Sequence, residues 1–356
     1  MKIIKSTKNS VFSLCRLLTV ALAIFVFSTA ASAYDEDTHF QMTYVLCRSV
    51  GFTPQEALVI AAADQGMDDS THTIANVLVI IPRPKQQWLW HAFDRGGKMR
   101  AAGIIARRDE LFRQALQETD QYKKLVRFGV FFHYQQDSWA HRHHGRPDHL
   151  SPDNYTPFKT PIGHGFFGTV PDGPPLDPVA AFMCLQDGIV FAGRFLHDGL
   201  GREPNPFLAG YTPRGGSVDV SWTDKRKGKY FRQIDLSGAA ADPARSYLLE
   251  LIRAQIGAHK KCLSIYPHYF LRRTAVVPAR LEKVKAALEE VGRKYKAYLP
   301  GPDMIVPTTA DKKALGFSRL RTSALLKFPL PDAAPFVEPN IAAIRRTTAI
   351  LCAAVF

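Results

Sequence analysis

The chain lacks most of the devices that announce a catalytic site. It has only five cysteines in 356 residues, and no pair of them has zinc-finger spacing, which excludes a cysteine-built zinc module. No G-x-S-x-G elbow, no G-x-x-x-x-G-K-[ST] loop and no H-E-x-x-H is present. The signatures of α/β serine hydrolases, P-loop nucleotide hydrolases and the common zinc proteases are therefore missing. Strand signals are scarce, and neither a fixed-period repeat nor a low-complexity tract occurs. Acidic residues are outnumbered, 32 against 46 Lys and Arg, for a formal net charge of +14.

Long hydrophobic runs are also absent from the start of the chain. Leu17 to Phe27 is well short of the ~20 apolar residues that span a bilayer. It follows the positive lead of Lys2, Lys5, Lys8 and Arg16 and precedes Ala31-Ser32-Ala33, a small-x-small cleavage pattern. Residues 1–33 thus read as a signal peptide, and the mature protein is expected to be periplasmic or secreted. Losing the four basic residues of that leader takes the net charge from +14 to +10. A balance this basic favours an anionic substrate or surface, phospholipid and nucleic acid included; no obligate protein partner is implied. Cys47, Cys184, Cys262 and Cys352 remain, an even number that allows two disulfides or four buried thiols.

The mature sequence reads as all-α. Thr53-Pro54-Gln55-Glu56 is a capping box with proline at the first helical position, so a helix is predicted from about 54 to 66. Helical periodicity also runs over 38–49, 120–141, 178–197, 243–264 and 278–298. Residues 201–235 break it with Gly, Pro and one alternating run, SVDVSW, as an inserted loop or small hairpin would. The expected organisation is a helical domain over 34–300 with that irregular insertion. The proline-punctuated extension 301–356 is expected to pack back on the body.

The concentration of histidine is what stands out. HYQQDSWAHRHHG, residues 133–145, holds four of the twelve histidines. His133, Asp137 and His141 fall four apart, so a helix projects all three from one face. Imidazole and carboxylate are zinc ligands, and an i, i+4 pair lets two of them reach one ion. A polar helix end with histidines capping carbonyls is the plain alternative for one such pair; three in register, followed by His143 and His144, argue against it. Further residues of metal-binding type sit near the ends of neighbouring helices: His39, Asp64, Asp68, Asp69, His91 in WLWHAFD, and His164 and Asp172 in GHGFFGTVPD. Together they are enough for more than one ion.

Over roughly residues 34–175 these features resemble the zinc-dependent phospholipase C and single-strand nuclease superfamily. The resemblance implies a multi-helix bundle holding up to three zinc ions. One ion would be bound by the amine and carbonyl of the mature N-terminal residue, Tyr34 if cleavage follows Ala33, and by a histidine five residues on, which is His39. The superfamily's H-x-x-x-D is present as His133 and Asp137, with Asp137 bridging two ions, and Asp68 and His91 stand where the remaining ligands of the first ion would be. His141, His164 and Asp172 would serve the last ion. The chain departs from the characterised enzymes in having Tyr34 for tryptophan, His143 rather than His141 at six residues past the bridging Asp, and Gly168 four past His164.

The function implied is an exported hydrolase with two or three Zn2+ ions that cleaves phosphodiesters of phospholipid or nucleic acid through a water held between the ions. Asp68 or Asp64 would orient or deprotonate that water, and Arg142, Arg146 or Lys159 would meet the remaining phosphate charge. Another zinc hydrolase on the same scaffold, or a non-catalytic zinc-binding or structural protein, are the other readings.

Overall fold

The computed structural model describes residues 36–70, 73, 85–94, 101–143, 150–157, 177–209, 220–222, 232–234, 242–265, 273–301 and 304–317. Tyr34, Arg146, Lys159, His164, Asp172 and Cys352, together with the leader and most of the C-terminal extension, lie outside these.

The described chain is helical. A π-helical segment, Asp37–Met42, runs directly into α1 (Thr43–Val50). There follow α2 (Pro54–Asp69), α3 (Lys85–Trp90), α4 (Ala101–Gln117), α5 (Gln121–Ala140) and α6 (Pro178–Arg194), the last continued by a π-helical turn, Phe195–Gly199. After α7 (Pro206–Ala209) come two three-residue strands, β1 (Val220–Trp222) and β2 (Arg232–Ile234). They pair antiparallel with Ser221 opposite Gln233, inside the stretch where the helical pattern breaks. Then α8 (Pro243–Ile265), α9 (Arg273–Lys294) and the short α10 (Thr309–Ala314) complete the described chain.

Local chemistry accounts for the starts of these helices. Thr53 Oγ1 accepts from Glu56 N while Glu56 reaches back to Thr53 N, closing the capping box with Pro54 at the first turn. Asp120 caps α5 by accepting from Lys123 N, and Asp177 caps α6 by accepting from Ala180 N. Each such cap is worth ~1 kcal/mol.

The centre of the fold is α5, which packs against α2, α4 and α6. Its sequence from Phe128 to Ala140 is buried on every side, the polar His133, Gln135, Gln136, Asp137 and Ser138 included. Phe128, Phe131 and Phe132 begin this stretch. Phe128 stacks on Phe195 with centroids 3.9 Å apart and meets Phe132 edge-on at 5.0 Å. Each buried phenyl ring contributes ~1.5–3 kcal/mol. The segment Pro178–Gly199 is long and apolar enough to cross a membrane; here it is a largely buried core helix against α1, α5 and α8.

The N-terminal segment is gripped by the end of the chain. Asp37 is fully buried, accepts hydrogen bonds from Gln255 Nε2 (2.8 Å) and His259 on α8, and pairs with Arg280 of α9 at 3.2 Å. Gln41 Nε2 donates to the Leu281 carbonyl. From α10, the buried ammonium of Lys312 lies 2.9 Å from both Glu36 and Asp69. Cys47 and Cys184 are buried free thiols, and burial pushes both well above the ordinary thiol pKa.

Candidate metal centre

Two helical pairs face each other where α2 crosses α5. Asp64 and Asp68 are four apart on α2, which runs a turn beyond the expected end at residue 66 to include Asp68; His133 and Asp137 are four apart on α5. The helices come together at Gly129, against Ile60, Ala63 and Asp64. A Cβ at position 129 would lie 2.4 Å from the Ile60 carbonyl and 2.7 Å from Ala63 Cβ, so only glycine permits this approach. Into the gap the π-helical segment turns His39, and the irregular turn after α3 delivers His91. Ala92, just after it, has φ +51°, a left-handed conformation that costs ~1–2 kcal/mol for a residue with a Cβ.

Four donors close on one point. His133 Nε2 is 3.0 Å from His91 Nδ1, 3.2 Å from Asp137 Oδ2 and 3.9 Å from Asp68 Oδ1. His91 Nδ1 is 3.0 Å from Asp137 Oδ2 and 3.7 Å from Asp68 Oδ1. Ligands ~2.1 Å from a tetrahedrally bound ion stand ~3.4 Å apart, and these spacings bracket that value. On the opposite side of both carboxylates, His39 Nε2 is 3.5 Å from Asp137 Oδ1 and 3.7 Å from Asp68 Oδ2. Each carboxylate thus turns one oxygen to the His91–His133 pair and the other to His39.

Chemically, the site fits a cation. His39, Asp64, His91, His133 and Asp137 are fully buried, and Asp68 is 6 % exposed. Both oxygens of Asp68 and Oδ1 of Asp137 are buried without a hydrogen-bond partner. A buried carboxylate oxygen left in that state is costly, and a metal ion is the species that satisfies it. His91 is already set for such a role: its Nε2 donates to the Thr73 carbonyl at 2.7 Å, which leaves the Nδ1 lone pair facing the cluster.

The proton affinities show how strongly these groups lean on one another. Burial opposes the charged form of His39, yet Asp64, Asp137 and Asp68 around it hold its pKa well above the ordinary imidazole value. For His133, burial and the neighbouring His39 push downward, but Asp137 and Asp68 bring it up to about 9. Asp137 is buried too, and His133 and His141 keep it well below the usual carboxylate range; for Asp68 burial dominates and the pKa rises. In this centre protons on imidazole balance the carboxylates, and a divalent cation would take their place.

Among the described residues, two groups of ligand atoms have spacings suited to an ion: Asp68, His91 and His133, and His39, Asp64 and His133. The expected residues Asp68, His91, His133, Asp137 and His39 are therefore brought together. Asp64 stands differently from the reading that gives it the water. Its Oδ1 faces the Nδ1 atoms of His39 (3.0 Å) and His133 (3.3 Å), behind the rings relative to Asp68 and Asp137. His141 does not continue the stripe: it is the C-cap of α5, stacked on Phe93 at 3.9 Å, with Nδ1 bonded to the His91 carbonyl.

Arg142 is a structural residue. It is buried between the rings of Trp139 (3.5 Å) and Tyr155 (3.7 Å), and it donates to the carbonyls of Ser138 and Ser151. Thr43 and Gln136, which contact His39 and Asp64, carry no sequence signal of their own. Only the register of Gln136, next to Asp137 on α5, hints at a place near the site.

A family model described as a family of unknown function (DUF6765) matches residues 34–93. That span contains His39, Asp64, Asp68 and His91 but ends before the helix that supplies His133 and Asp137. No curated protein and no solved structure matches the chain. What fold and site define is a helical protein whose buried His/Asp groups could hold a metal ion.

Proposed function

We propose that this protein is an exported zinc-dependent hydrolase of phosphodiesters, built on a fold like that of the phospholipase C and single-strand nuclease superfamily. The observation that carries the reading is the convergence of Asp68, His91, His133 and Asp137, with three carboxylate oxygens buried and unsatisfied. These four residues would hold one ion. His39, with the outer oxygens of Asp68 and Asp137, would hold a second together with the amine of Tyr34. A third ion would fall to His141, His164 and Asp172.

When bound, zinc lowers the pKa of coordinated water toward neutrality and takes up charge developing on phosphoryl oxygens. The chain's own groups fix the conditions for that. The Thr73 carbonyl holds His91 in one tautomer. Asp68 and Asp137 supply the negative charge that retains divalent ions, and the full burial of His39, His91, His133 and Asp137 keeps the local dielectric low, which strengthens each of these interactions. A net charge of +10 after loss of the leader favours a polyanionic or anionic-surface substrate, phospholipid or nucleic acid.

The test is metal content of the full mature chain together with release of nitrophenol from bis(p-nitrophenyl) phosphate. Zinc-loaded protein with no turnover of this ester, of phospholipid or of single-stranded nucleic acid would sink the proposal. One observation favours a second reading: burial of every donor resembles a closed structural zinc site, and a protein that binds zinc, gains stability and hydrolyses nothing would be that.

A further inference from the structure

We infer that Asp64, Thr43 and Gln136 form a hydrogen-bond relay that sets which ring nitrogen of His39 faces the carboxylates, which makes Asp64 a positioning residue and not a metal ligand. The inference rests on the metal-centre reading and deepens it.

Donor and acceptor roles follow link by link. Thr43 Oγ1 lies 2.7 Å from Asp64 Oδ2. The hydroxyl donates to this carboxylate oxygen, so the threonine proton is committed to it. The competing acceptor, the Thr38 carbonyl, is 3.5 Å away, at the limit of a hydrogen bond. With its proton used, Thr43 Oγ1 must accept from the group 2.6 Å away, the amide of Gln136, so the Nε2 end of that amide points to Thr43. The carbonyl end is then the one 2.7 Å from His39 Nδ1. A carbonyl accepts, so Nδ1 carries the hydrogen. In the zinc-loaded protein the lone pair then falls to Nε2, the nitrogen that faces Asp68 Oδ2 and Asp137 Oδ1.

The same chain decides between the two candidate groups of ligand atoms. An ion among His39, Asp64 and His133 needs a lone pair on His39 Nδ1 next to Asp64, and the relay puts a hydrogen there. Asp64 Oδ1 stands 3.0 and 3.3 Å from the Nδ1 atoms of His39 and His133 without a hydrogen bond to His133, and Asp64 is held through its other oxygen, Oδ2, by Thr43. The relay joins three elements, with Thr43 at the start of α1, Asp64 on α2 and Gln136 on α5. All of its members are at most 2 % exposed, so bulk solvent does not reach these bonds.

The experiment uses the full mature chain. A chelator competition measures zinc affinity, elemental analysis counts ions, and long-range 1H–15N correlation reads the histidine rings of the zinc-loaded protein. The wild type is expected to show His39 bound through Nε2 with hydrogen on Nδ1, a reading that needs no variant to fold. Thr43→Val, which keeps the shape but lets the Gln136 amide turn, should weaken zinc binding ~10–100-fold, and Thr43→Ser should restore it. Asp64→Asn should weaken binding without changing the number of ions.

Metal on His39 Nδ1, a lost ion in Asp64→Asn, or unaltered affinity in Thr43→Val would overturn the relay. Zinc-loaded wild type that hydrolyses no phosphodiester removes the proposed function and leaves these readouts to decide the relay. A wild type that binds no divalent ion removes both.

Discussion

His91 is tied to Thr73: its Nε2 donates to the Thr73 backbone carbonyl 2.7 Å away, and the opposite ring nitrogen is thereby presented to Asp137 at 3.0 Å. A backbone carbonyl only accepts, so the neutral ring of His91 enters the centre with its hydrogen on Nε2. The directed lone pairs on one side and the unsatisfied carboxylate oxygens on the other make loss of a carboxylate the most direct probe.

Asp137→Asn keeps the volume of the side chain and removes its charge. At least one zinc per chain should be lost and the phosphodiesterase rate should fall by more than ~100-fold, beyond the cost of losing a merely supporting residue. Elemental analysis of the purified variant checks it, and unchanged metal stoichiometry refutes the assignment.

Chelation should lower the midpoint of thermal unfolding and zinc should restore it. Binding to the folded state alone adds ~2.7 kcal/mol when free ligand is 100 times its dissociation constant. Identical melting curves with chelator and with zinc would mean that no ion occupies this centre.

Gly129→Ala tests how the fold makes the site. Its Cβ would meet backbone, the Ile60 carbonyl at 2.4 Å and Asp64 N at 3.1 Å, so α2 and α5 must separate. We expect ~1–3 kcal/mol of destabilisation and weaker zinc binding, because Asp68 moves away from His133 and Asp137. Gly257→Ala, where nothing lies within 4 Å, should instead stabilise by ~0.5–1 kcal/mol. Chemical denaturation of both variants separates the cases.

Asp37 predicts an acid sensitivity. Burial alone would raise its pKa, but His259 and Arg280 hold it well below the carboxylate range. A depressed folded pKa means stability that is fully present above the unfolded value of ~3.9 and is lost as pH falls through the folded one. Asp37→Asn should cost ~3 kcal/mol at neutral pH by stranding buried positive charge. It should also flatten the acid limb of the stability curve. An acid limb identical to that of the wild type would refute the role.

The resemblance also gives the N-terminal amine a role at the ion that His39 serves. One glycine added before Tyr34 would convert that amine into an amide, a poor ligand, and shift the new amine by ~3.8 Å. Zinc affinity at that ion should drop while the His91–His133 ion stays; equal zinc content and rate for both chains would exclude the amine.

Much of the helical framework was legible in the sequence because its signals are local. The capping box at Thr53, the i, i+4 spacing of His133 and Asp137, and the periodicity of α5 and α8 need only neighbours along the chain. What the sequence could not show depends on distant partners. His141 continues the stripe by spacing, but the helix ends there and its ring turns to the His91 carbonyl. Arg142 reads as a cation for substrate phosphate until Trp139 and Tyr155 are seen on either side of it. Helix α4 escaped the periodicity reading, and nothing in DTHFQM distinguishes a π-helical from an α-helical turn. The relay through Thr43 and Gln136 joins positions 93 residues apart, using residue types common everywhere.

The grip of α8, α9 and α10 on the first helical segment has a consequence in time. Asp37 finds His259 across 222 residues, and Glu36 finds Thr309 across 273. Contacts so distant form late, because the closure entropy of the intervening chain must be overcome first. A chain emerging N-terminus first can assemble α2 against α5 while synthesis is still under way, but His39 gains its final seat only when the residues beyond 300 have emerged. The His39 side of the candidate centre therefore matures after the side built from Asp68, His91, His133 and Asp137, and early ions would meet an incomplete set of ligands.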